Sequence, residues 1–106
     1  MKYRKITAIV RRDVCEEVQA QLQTLGVAGF SLTQVKGYGE YADLYNEGGL
    51  TCHARLEIFT EAERAVSVVD AVMAAAHVGL AGDGIIAVLP VESLYRIRTR
   101  APVATD

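Results

Sequence analysis

Apolar positions recur along this chain at two spacings, every second residue in some stretches and every third or fourth in others. Ile6-Thr7-Ala8-Ile9-Val10 has the period-two content of a first strand. Arg11 and Arg12 follow, and Asp13 with Glu16 predicts a helix start, a capping acid with a second acid three residues on. Val14, Val18, Leu22 and Leu25 then recur at helical spacing, with Gln19, Gln21 and Gln23 toward water and Gly26 as the C-terminal stop. Phe30 to Lys36 predicts a second strand and His53 to Phe59 a third. Thr60 and Glu63 have capping-box spacing before a second helix, rich in Ala and Val, that runs to roughly Val78 and ends at Gly79. The apolar run Ile85–Leu89 predicts a buried fourth strand, and Ser93–Arg98 a short extended segment. Residues 101–106 are expected to fray.

The order β-α-β-loop-β-α-β predicts an α+β domain over 1–106: the ferredoxin-like βαββαβ arrangement, one antiparallel sheet with both helices on one face. Alternation assigns Ile6, Ala8, Val10, Phe30, Leu32, Leu56, Ile58, Ala87 and Leu89 to the helix side. The opposite side then shows Thr7, Ile9, Ser31, Thr33, Val35, Arg55, Glu57, Phe59, Ile86 and Val88. That face is too apolar for water yet carries a charge pair that a core would reject, so a subunit interface is expected.

Composition narrows the classes. The chain has 106 residues, 51% hydrophobic and 23% charged, enough for one core. A net charge of -2 without a basic block argues against nucleic acid. No apolar run is long enough for membrane insertion, and the basic start Met1–Ile6 lacks the apolar segment of a signal peptide, so a cytoplasmic location is expected. Cys15 and Cys52 have no CxxC spacing, so neither a zinc site nor a disulfide framework is indicated; Cys52-His53 is the sole hint of a metal site.

Candidate chemistry sits at strand ends. Gly82-Asp83-Gly84 forms a flexible corner before the fourth strand, and Val35-Lys36-Gly37-Tyr38-Gly39 a second after the second strand. Backbone N–H groups at Gly37, Gly39, Gly82 and Gly84 can meet anionic oxygens. Arg96 and Arg98 stand two apart, so an extended segment points both guanidinium forks to one side, suited to phosphate. His53 with Arg55 suggests a small-anion site for a group such as bicarbonate. Between the second and third strands, 37–51 holds Tyr38, Tyr41 and Tyr45 with several acids and glycines, and is expected to be a long flexible contact loop. Asp83 and Glu57 are the only acids near these corners and form no magnesium-ligand cluster, so catalytic residues are not expected.

These blocks resemble the PII signalling proteins over nearly the whole chain. The blocks are Lys5-Ile6-Thr7-Ala8-Ile9-Val10, Thr33–Gly39, Arg55-Leu56-Glu57-Ile58, Gly79–Gly84 and Arg96-Ile97-Arg98-Thr99, in the family's order. The resemblance implies a homotrimeric, non-enzymatic sensor with ADP, AMP or ATP in clefts between subunits. The 37–51 segment would be the T-loop that signals to a target. Carried over position by position, the nucleotide would be held by Ile9, Ser31, Gly37, Tyr38, Gly39, Glu57, Gly82, Asp83, Gly84, Arg96 and Arg98, with Arg100 as an added cation.

The departures matter. The lysine that follows the Gly-Asp-Gly turn in the family, a phosphate-holding partner of the acid matching Glu57, is Ile85 here, and Arg100 stands where a glycine is usual. The loop is shorter than usual, and no tyrosine clearly matches the one that is uridylylated in some family members. This is similar to divergent PII-like branches associated with carboxysomes and bicarbonate transport. Those branches respond to ADP or AMP and in some cases bicarbonate, and their targets would be a transporter or a carbon-fixation component. The alternatives are a nitrogen-regulatory PII protein responding to ATP and 2-oxoglutarate, and a trimeric metal-binding or tolerance protein.

Overall fold

The computed structural model describes residues 2–27, 29–37, 51–80 and 82–103, with backbone alone at 51 and 52. Four strands form one sheet: β1 (Tyr3–Arg11), β2 (Ser31–Gly37), β3 (Thr51–Glu61) and β4 (Gly84–Val91), in the order β2-β3-β1-β4. All three pairings are antiparallel. Helices α1 (Cys15–Thr24) and α2 (Ala65–Ala76) cover one face. This is the expected α+β, ferredoxin-like arrangement.

The core lies where alternation put it. Ile6, Ala8 and Val10 of β1 and Ala54, Leu56 and Ile58 of β3 are buried against Val18 and Leu22 of α1 and Ala65, Val68, Val72 and Ala76 of α2. The helical residues are spaced by three and four, which keeps each set on one stripe. In β4 the phase is the reverse of the expectation. Val88 opposes Ile6 and Ile86 opposes Ala8, so Ile86 and Val88 face the helices, while Ile85, Ala87 and Leu89 take the open side. A continuous apolar run carries no period-two signal, and a slip of one residue exchanges the faces.

Both helix starts also differ from expectation. Each strand passes through a 3-10 turn, Arg12–Val14 or Ala62–Arg64, before the α-helix, and among the described residues no side chain caps either start. Asp13 and Glu63 lie within those turns rather than before or beyond them, and Thr60 is still a strand residue whose hydroxyl lies 3.5 Å from Glu61 Oε2. At the other end of α1, Gly26 takes φ +85 and Val27 N–H donates to Leu22 O at 3.0 Å, a left-handed stop that a Cβ would strain. Helix α2 ends at Ala76, short of Val78. The N–H groups of Val78 and Gly79 donate instead to Asp83 Oδ2, at 3.0 and 2.7 Å.

Beyond β4 the chain makes a small hairpin of β5 (Tyr95–Arg96) and β6 (Ala101–Pro102), with Val103 N–H donating to Leu94 O at 2.8 Å. The start of the segment expected to fray is therefore paired; 104–106 lie outside the described residues. Gly37 and Thr51 oppose one another in the sheet, so the expected loop loses both end residues to strands, and its interior, 38–50, lies outside the described residues. Among the described residues no helix is long and apolar enough to cross a membrane.

Candidate functional site

The open face of the sheet gathers four of the sequence candidates: Ile9, Ser31, Gly37 and Glu57. Successive odd positions of β1 share it with their cross-strand partners: Ile9 opposes Arg55 and Ile85, Thr7 opposes Glu57, and Ser31 opposes Glu57 from the other side. Gly37 lies farther along β2 on the same face. Tyr38 and Gly39 lie outside the described residues. Glu57 is already engaged: Lys5 Nζ pairs with Oε2, and Arg55 Nε stands 3.6 Å from Oε1. The hydrogen bond from Lys5 holds the Glu57 carboxyl below its usual 4.5, with a smaller pull from Arg55. At 3.6 Å the Arg55 contact is too long for a hydrogen bond, and Arg55 Nε, shielded from solvent, has none among the described residues.

At one end of this face stands the glycine corner. Gly82 has φ +95 and Gly84 φ +113, and a Cβ on Gly84 would lie 1.8 Å from Ile9 O, so only glycine lets β4 start this close to β1. Asp83 between them was expected at the ligand, but its carboxylate is directed inward. Oδ2 accepts the N–H groups of Val78 and Gly79, Oδ1 lies 3.5 Å from Arg11 Nε, and His77 Nδ1 is 3.6 Å from Oδ2. Partial burial pulls the Asp83 carboxyl upward; the two backbone donors and Arg11 outweigh it and hold the group below its usual 3.8. Asp83 thus shapes the corner.

His53 is also not as the sequence suggested. Its side chain is 2% exposed, with Nε2 3.0 Å from Gly82 O, so its ring is turned onto the corner instead of being presented beside Arg55 to an anion. Neither the Arg11–Asp83 tie nor the His53–Gly82 tie could be found from spacing, since both join residues distant in the chain. The residue types alone, one cation and one imidazole at strand ends, were the only signal.

The arginines occupy the other end. Arg96 is in β5, whereas Arg98 falls in the turn 97–100, so the two do not share an extended segment. Arg100 N–H donates to Arg96 O at 2.9 Å, and Arg100 itself adopts φ +58, a left-handed conformation natural to glycine. Arg96 lines a cavity of about 390 Å³ with Tyr3, Gly29, Phe59, Glu61 and Arg64. Tyr3 opposes Glu61 and Val91, while Val10 opposes Gly84, so this cavity and the glycine corner lie at opposite ends of β1. At about 3.3 Å per residue, roughly 23 Å of strand separates Tyr3 from Val10. A single chain does not bring the two together.

The sequence model of the family described as Nitrogen regulatory protein P-II matches residues 3–101. The chain belongs to the P-II family. It is 33% identical over 103 residues to the P-II protein of Azospirillum brasilense, covering 91% of this chain and 92% of that one. Against the P-II protein of Microchaete diplosiphon it is 34% identical over 103 residues, with the same 91% and 92% coverage. Its fold superposes on the crystal structure of Arabidopsis thaliana PII bound to citrate with a TM-score of 0.83 and 28% identity, covering 96% of this chain and 86% of that one. P-II proteins are regulatory proteins rather than enzymes, trimers that bind adenine nucleotides, small effectors and target proteins.

Proposed function

We propose that this P-II protein is a homotrimeric sensor that binds an adenine nucleotide between chains. The glycine corner of one chain and the arginine end of its neighbour would enclose the ligand. The observation that carries this is the separation of the two groups along β1: the glycine corner and the Arg96 cavity lie at opposite ends of the strand, too far apart for one chain to close both on one ligand. Gly37, Gly82 and Gly84 would supply backbone donors to the phosphates, with Tyr38 and Gly39 beside them. Arg96, Arg98 and Arg100 would supply guanidinium forks from the neighbouring chain. Ile9 and the half-exposed Phe59 offer apolar surface to the base, and Ser31 a hydroxyl to its edge.

ADP or AMP is favoured over tightly held ATP because Ile85 puts no cation on the open face beside the corner, and the Lys5 cation of that face is already paired with Glu57. The nucleotide signal would pass through the 37–51 loop to a target such as a transporter or a carbon-fixation component in the cytoplasm, with bicarbonate as a second input. A thermal-shift series with AMP, ADP and ATP, each with and without bicarbonate and with magnesium and 2-oxoglutarate, tests the reading, with sedimentation fixing the oligomer. The expected result is a trimer whose melting point rises most with ADP or AMP. A monomer, or no shift at millimolar nucleotide, overturns it. A largest shift with magnesium-ATP and 2-oxoglutarate assigns the nitrogen-regulatory mode instead.

A further inference from the structure

Two ties hold the Gly-Asp-Gly corner to the sheet, and they come from residues directly opposite one another. Arg11 of β1 and His53 of β3 are cross-strand partners. Arg11 reaches the Asp83 side chain, and His53 reaches the main-chain oxygen of Gly82, the residue immediately before it. A carbonyl oxygen can only accept, so the 3.0 Å contact requires the His53 proton on Nε2. The contact is enclosed, for His53 is 2% exposed and Gly82 is buried. It also spans 29 residues, so it binds the turn to a strand that is not its neighbour in the sheet.

The turn needs such a tie. Between the end of α2 and Gly84 the chain crosses Gly79 and Gly82, both at positive φ, and its one described backbone turn bond, Asp83 N–H to Leu80 O, is long at 3.3 Å. Asp83 fixes the near side of this loop through Val78 and Gly79, but its carboxylate does not touch the Gly82 carbonyl. Without His53 the Gly82 peptide can rotate about glycine torsions that cost little, and a buried carbonyl loses the one side-chain donor it has among the described residues.

We infer that His53 is a positioning residue for the proposed nucleotide site: its Nε2–H fixes the Gly82 carbonyl and thereby the tilt of the phosphate-facing corner. This rests on the nucleotide reading above and assigns His53 a role other than anion ligand or metal ligand. Glutamine at this position carries an amide N–H at the reach of Nε2, whereas leucine fills the space without a donor.

The test is calorimetric titration of ADP into the wild-type protein, His53→Gln and His53→Leu, with sedimentation and melting point measured on each. The expected result is that His53→Leu keeps its assembly and binds ADP about tenfold or more weakly, the scale of one lost buried hydrogen bond at the site. His53→Gln should recover most of the affinity, which a merely space-filling role would not produce. Equal affinity in all three, or a glutamine variant as weak as the leucine one, overturns the inference while leaving the nucleotide reading intact. A wild-type protein that binds no ADP overturns the nucleotide reading and this role with it. Should His53→Leu fail to fold, nitrogen NMR of the wild-type imidazole decides: a proton held on Nε2 in slow exchange supports the tie, and a ring protonated on Nδ1 alone overturns it.

Discussion

Arg11 and Asp83, 72 positions apart, meet with Nε 3.5 Å from Oδ1, and the same carboxylate accepts the N–H groups of Val78 and Gly79 through its other oxygen. One side chain therefore joins the end of β1, the run-out of α2 and the turn into β4. Because the folded carboxyl sits below its usual 3.8, the unfolded chain takes up the proton first as pH falls. The stability it contributes is present above about pH 4 and fades as pH drops through the folded value. Asp83→Asn is expected to narrow the stability difference between pH 7 and pH 3 relative to wild type, read by urea unfolding at both values. An identical pH dependence in the two proteins excludes Asp83 from the acid response.

Gly84→Ala is expected to be the most damaging small substitution in the sheet. Its Cβ would meet Ile9 O at 1.8 Å, a main-chain atom in the middle of the fold, and φ +113 is closed to alanine. A loss on the order of 3 kcal/mol or more is expected, or no folded protein, measured by chemical denaturation. Gly26→Ala has the contrasting geometry: φ is +85, but among the described residues the nearest atom to a new Cβ is a flexible guanidinium nitrogen of Arg64 at 3.7 Å. Its cost should stay near the 1–2 kcal/mol of left-handed strain, roughly.

Arg100→Gly is expected to stabilise the chain. A non-glycine residue at φ +58 costs about 1–2 kcal/mol, and the freedom glycine adds to the unfolded chain returns about 0.5–1 of that. A net gain of up to about 1 kcal/mol should appear as a higher melting point. If the same variant also binds ADP more weakly, the strain at this position is maintained for the charge it presents.

Arg98→Ala removes a guanidinium from the turn 97–100 without touching the sheet. Losing one charged hydrogen bond to phosphate costs about 1.5–3 kcal/mol, so ADP should bind roughly ten- to hundredfold more weakly in calorimetry. An unchanged dissociation constant removes Arg98 from the site.

The parts of this fold that were legible in the sequence are those written in a repeating pattern. Val18 and Leu22, or Ile6, Ala8 and Val10, announce their shared stripe by spacing alone, and both sets are buried as expected. The pattern fails where it is uniform, as in Ile85–Leu89, whose phase is set by pairing with Ala8 and Ile6. It also fails where a tertiary partner competes for a local group. Val78 looks helical, but its N–H is taken by Asp83, and Asp13 looks like a cap but lies inside a 3-10 turn. At the candidate site the glycine corner was legible because glycine tolerates what other residues cannot. The inward direction of Asp83 and the burial of His53 were not, because each depends on a partner that only folding brings near.

The placement of the two half-sites at opposite limits of β1 has a genetic consequence on the proposed reading. A chain damaged only at the corner, as in His53→Leu, keeps its arginines, and a chain damaged only at Arg98 keeps its corner. Co-assembled, the two would rebuild an intact crevice at whichever seam sets a sound corner against a sound arginine end. Two alleles that are each defective alone would then complement when expressed together, and two lesions at the same end would not.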